Sequence, residues 1–91
     1  MSYSYGKFNA VVNDVVAELM AASNKFGPFN SAHEGYAVLA EEVDELWDEI
    51  KAKQGSRNSE NLRKEASQVA AMAMRFIYDI CDSGDTDAIQ R

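Results

Sequence analysis

The chain has 91 residues, 46% of them hydrophobic, with 15 acidic against 9 basic side chains and a formal net charge of −6. That length allows one domain with a modest core, and the negative balance argues against a general nucleic-acid binder. One cysteine, Cys81, and one histidine, His33, exclude an intramolecular disulfide and a Cys/His metal centre.

Three helical segments separated by two breaks account for nearly the whole chain. The first is predicted from about Lys7 to Lys25, where Phe8, Val11, Val12, Val15, Leu19 and Met20 recur at helical spacing. Gly27-Pro28 stops it. Ser31-Ala32-His33-Glu34 then matches a capping box that starts a second helix. That helix carries Tyr36, Leu39, Ala40, Val43, Leu46, Trp47 and Ile50 on one side and is expected to end near Gln54-Gly55. Asn58 or Ser59 caps a third helix reaching about Asp82, with a stripe of Leu62, Ala66, Val69, Ala73, Phe76 and Ile80 widened by Ala70, Met74 and Ile77. An apolar helix of that breadth belongs at the centre of a bundle or against a partner subunit. The fold class is therefore all-α, a small bundle of three main helices whose core is completed by homo-oligomerisation, as a homodimer or homotetramer. Residues 1–83 form the single domain, and residues 84–91 a polar, frayed tail. The first seven residues have no apolar stretch resembling a signal peptide, and no segment is apolar enough for a membrane span. The expected location is cytoplasmic.

Six of the nine residues from Glu41 to Glu49 are acidic. At about 100° per residue the apolar face of the second helix centres near Val43, and Glu42, Glu45 and Glu49 fall on one border of it, about 100°, 160° and 120° away. Asp44 and Asp48 fall on the other flank. On the third helix Glu65 and Gln68 border the stripe in the same way, about 100° and 160° from Ala66. Packed antiparallel, the two helices would bring Glu42, Glu45, Glu65 and Gln68 around one point. Hard oxygen ligands of this kind suit Mg²⁺ or Mn²⁺. Acidic runs on helices are also commonly solvated faces, so both readings stand at this level.

Glu41-Glu42-Val43-Asp44-Glu45 followed by Glu65-Ala66-Ser67-Gln68 resembles the paired acidic motif of MazG-like nucleotide pyrophosphohydrolases, Glu-Glu-x-x-Glu and then Glu-x-x-Asp. The resemblance covers roughly Ser31 to Asp82, and it implies the MazG-like all-α NTP pyrophosphatase fold. It also implies an enzyme that hydrolyses (deoxy)nucleoside triphosphates to monophosphate and pyrophosphate with Mg²⁺, in house-cleaning of nucleotide pools. By position, Glu41, Glu42, Glu45 and Glu65 would be catalytic. Glu42, Glu45 and Glu65 would hold the metal, with Gln68 and Glu41 as further oxygens, and Glu41 would otherwise orient the water. Gln68 stands where the family pattern has Asp; an amide offers a carbonyl oxygen but no charge and no base. Glu49 is the nearer stand-in, and Asp79, about 21 Å beyond Glu65 along the helix, is too far. The alternative is a weak or inactive helical module that binds a nucleotide or a protein.

Lys51, Lys53, Arg57 and Arg63 are candidates for the triphosphate tail, and Trp47 and His33 for the base or phosphate. Each has an ordinary reading as well: solvated charge, an interface or core aromatic, a surface histidine near a helix start. Arg75 is expected to pair with an acidic residue of a neighbouring helix or subunit. Met72, Met74 and Cys81 are expected to be packing residues.

Overall fold

The computed structural model describes residues 4–52 and 58–82. They form α1 (Tyr5–Phe26), α2 (Ala32–Lys51) and α3 (Ser59–Phe76), and α3 runs on into a π-helical turn, Ile77–Cys81. The described residues are all-helical, and none of the helices is long and apolar enough to cross a membrane. The expected stop at Gln54-Gly55 and the tail 84–91 lie outside them.

Each helix starts on a side-chain cap. Ser4 accepts from the Lys7 backbone N–H, which begins α1 two residues before its apolar spacing does. Gly27 ends α1 at φ 72°, a conformation that favours glycine. Ser31 accepts from the Glu34 N–H as the capping box requires, but the Glu34 carboxylate reaches one residue further back. It takes the backbone N–H of Asn30 at 2.9 Å and that residue's side-chain amide at 3.3 Å. At α3, Asn58 rather than Ser59 is the cap, its Oδ1 accepting from the N–H groups of Glu60 and Asn61.

The three helices run up, down, up. Asp14 meets Arg63 and Leu19 shares a cavity wall with Arg75, so α1 and α3 are parallel. Gly35 faces Phe76 while Glu42 meets Gln68, so α2 and α3 are antiparallel. Both α1 and α2 lean on α3 and scarcely on each other. The core is Val15 of α1, Phe29 of the connecting loop, Ala71 and Met72 of α3, and Ile80 of the π-helical turn. Leu19, Ala32, Val38, Leu39, Ala70 and Phe76 pack around it.

The buried side of α3 is turned from the expected stripe. Ser67, Ala71, Met72 and Arg75 are the buried residues, while Ala66, Met74 and Ile77 are exposed. Ala71, with no exposed surface, lies on the line along which α3 is covered. Cys81, expected inside, is exposed, following Met74, Ile77 and Tyr78, which are exposed as well.

Arg75 departs further from expectation. It is 3% exposed, yet among the described residues it meets no carboxylate. Its guanidinium donates to the Gly27 carbonyl at 2.7 Å and stacks 4.2 Å from the centroid of the Phe29 ring. Asp79, one turn on, accepts from the Phe29 backbone N–H at 3.0 Å. These contacts tie the α1–α2 connection to the end of α3, where the helix widens to a π turn and Asp82 N–H bonds Ile77 O.

Gly35 lies where α2 packs tightly on the Phe76 ring of α3. A Cβ there would lie 2.6 Å from Phe76 Cδ2 and 3.2 Å from Phe29 Cδ2. Gly35→Ala gains up to about 1 kcal/mol of helix propensity but overpacks at a cost of about 1–3 kcal/mol. The expected net result in urea unfolding is a loss of about 1 kcal/mol. A variant as stable as the parent would show that the Phe76 ring yields freely.

Candidate functional site

Antiparallel packing sets the acidic border of α2 against that of α3. Glu42 and Glu45, one turn apart on α2, meet Glu65 of α3, and one carboxylate oxygen from each lies within 4.8 Å of the other two. Glu42 and Glu65 are half-buried and Glu45 is exposed, so the cluster sits at the rim of the helix pair. Gln68, one turn beyond Glu65, completes the group. Toward ionised carboxylates its amide turns its nitrogen, because its oxygen would there face acceptors alone. So turned, it donates to Glu42 Oε2 at 3.0 Å and Glu65 Oε2 at 3.2 Å.

Such crowding changes the acidity of the group. Burial, then a hydrogen bond with Glu45 and the charges of Glu45, Glu65 and Glu41, push the Glu42 carboxyl from its ordinary 4.5 up to about 7. Glu65 is raised as well, by burial first and then by the charge of Glu45 and a hydrogen bond with it, with Glu49 adding and Lys64 opposing.

The donor set fits a hard divalent cation. Around six-coordinate Mg²⁺ with bonds of about 2.1 Å, ligand oxygens stand roughly 3–4.2 Å apart. The 4.8 Å span contracts to that range by small rotations of flexible Glu side chains. A cation there would replace the shared protons as the charge that offsets the repulsion.

The remaining candidates divide. Glu41 is exposed beside the cluster, and Glu49 is half-buried close enough for its charge to act on Glu65. Asp44 and Asp48 are exposed, Asp48 paired with Lys51 at 3.3 Å. Lys51 also lies 5.9 Å from the Trp47 ring, and Trp47 is 54% exposed. Lys53 and Arg57 lie outside the described residues. Arg63 is bound to Asp14 of α1 rather than turned toward the carboxylates. His33 is exposed in the first turn of α2, nine residues or about 14 Å along the axis from Glu42, and is not brought to the cluster.

A larger opening lies elsewhere. An apolar cavity of about 630 Å³ sits between the end of α1 and the π-helical turn, lined by Leu19, Met20, Met74, Ile77 and Tyr78 among others. No carboxylate of the cluster lines it. The tether made by Arg75 and Asp79 gave no motif in the sequence. Only its charge inside an apolar run marked Arg75 as unusual. Gln68 was expected to offer its carbonyl oxygen to a cation, whereas here its nitrogen faces the carboxylates of Glu42 and Glu65. Comparison with known proteins finds no matching family model, no matching curated protein and no matching solved structure.

The raised carboxyl has a thermodynamic consequence. Folded Glu42 holds its proton more tightly than the unfolded chain does, so its contribution to stability is full below about 4.5 and lost as pH rises through about 7. With EDTA present, Tm should fall between pH 6 and pH 8, and Glu42→Gln should flatten that slope. A Tm that is level or rising over this window in the parent protein would contradict the shift.

Proposed function

We propose that this chain is a Mg²⁺-dependent pyrophosphohydrolase of nucleoside triphosphates, resembling the MazG-like enzymes. The observation that carries the reading is the convergence of Glu42, Glu45 and Glu65 from two helices on one point. These are the residues at which the sequence matches the family's paired acidic motif. Glu42, Glu45 and Glu65 would hold the cation, with Mn²⁺ as a substitute. When bound, the ion supplies positive charge to the triphosphate oxygens and to the leaving pyrophosphate. Glu41, exposed beside the cluster, is the carboxylate assigned to orient the attacking water. Lys51 follows on the same helix and is the described group we assign to the phosphate tail.

Pyrophosphate release from a panel of ribo- and deoxyribonucleoside triphosphates, with Mg²⁺ and with Mn²⁺, tests this. At least one triphosphate should be cleaved to the monophosphate, with a loss on the order of 100-fold in Glu42→Gln or Glu65→Gln. No turnover across the panel would end the hydrolase reading. Thermal stabilisation by a nucleotide without turnover would point instead to the binding module, which the substitution at Gln68 favours.

The reading also includes self-association. Tyr36, Val43 and Trp47 of α2 and Met20 of α1 are large apolar groups left 46–68% exposed, more apolar surface than so small a domain usually leaves open. A second copy is the occupant we assign to these faces. Sedimentation should give a dimer or tetramer, and Val43→Glu or Trp47→Glu should shift it toward monomer. A parent chain that stays monomeric at high concentration would remove this part of the reading.

A further inference from the structure

We infer that Gln68 is a positioning residue, whose amide nitrogen holds Glu42 and Glu65 together and thereby lowers the affinity of the cluster for a divalent cation. This rests on the reading above that the cluster takes such a cation. The amide spans the helix pair: it shares α3 with Glu65 and reaches across to Glu42 of α2 at 3.0 Å. Its two N–H groups match two carboxylate acceptors, so the donor side of the amide is fully used inside the cluster. The setting is half-buried, where such bonds are stronger than in open water. An aspartate at this position would put a fourth carboxylate among three already crowded ones. That arrangement would depend on a cation to stand, and would bind it more tightly, because affinity rises with the number of charged ligands. Glutamine reverses both properties. The helix pair is held by hydrogen bonds, and an arriving cation competes with the amide for the oxygens of Glu42 and Glu65.

The full chain, Gln68→Met and Gln68→Asp are compared at pH 8 by Tm in EDTA, by Tm in saturating Mn²⁺, and by Mn²⁺ titration followed by electron paramagnetic resonance. Gln68→Met keeps the length of the side chain and removes its donors. Both variants should melt several degrees below the parent in EDTA, and Mn²⁺ should close the gap. Gln68→Asp should bind Mn²⁺ at least about tenfold more tightly than the parent. An unchanged Tm in EDTA overturns the inference, and so does equal Mn²⁺ affinity in the parent and Gln68→Asp. A Tm deficit of Gln68→Met that persists undiminished in Mn²⁺ also overturns it, since Gln68 would then act through packing alone. Absence of Mn²⁺ binding in all three proteins removes the cation reading itself, a result distinct from equal binding.

Discussion

Three carboxylates drawn from two helices into less than 5 Å impose a condition on the whole α2–α3 pair. Like charges so placed repel, and the repulsion is relieved only by protons, hydrogen-bond donors or a cation. Here the raised pKa of Glu42 and Glu65, which keeps protons on them, supplies the first, and the Gln68 amide the second. The same packing that brings the helices close enough to bury Ala71 completely also forces the acidic borders together. Stability and site therefore share one interface, and the charges at its rim work against the apolar contacts inside it.

What holds that interface in register lies toward the far end of α3. Gly35, without a side chain, admits the Phe76 ring. Just beyond, Arg75 and Asp79 grip the loop from Gly27 to Phe29, the first through a carbonyl and a ring face, the second through a backbone N–H. Fixing this loop fixes where α2 enters the bundle. Because α2 and α3 are antiparallel, a shift of one turn at that end would carry Glu42 about 5.4 Å from its partners on α3. Among the described residues Arg75 has no carboxylate partner; a buried charge is costly to desolvate, and here it is met by the Gly27 carbonyl, Met72 Sδ and the π-face of Phe29. The π-helical turn that follows is where α3 gives up regular geometry to keep both grips.

The core inside this frame is small. Among the described residues, five are buried as hydrophobic core, drawn from α1, the loop, α3 and the π-helical turn, while α2 contributes half-buried side chains to it. The apolar sides of α1 and α2 that give those helices their pattern remain largely open, Phe8, Val12 and Met20 on one and Val43 and Trp47 on the other. A domain of this size gains little from a single-chain core. The open faces are the physical ground for reading the chain as one part of a larger helical assembly.

Local rules were enough to read the helices from the sequence. Apolar spacing marked all three, Gly27 marked the first stop, and Ser31 with Glu34 marked the second start, since caps and glycine terminators act within a few residues. The angular argument also carried Glu42, Glu45, Glu65 and Gln68 to one point, because a helix face is a fixed function of residue number. Tertiary structure decided the rest. Which side of α3 is buried depended on where two other helices pack against it, which the period of α3 alone does not specify. The partners of Arg75 and Asp79 were set some fifty residues away along the chain. Which atom of the Gln68 amide faces the cluster followed from acceptors supplied by two different helices, and no single stretch of sequence contains that information.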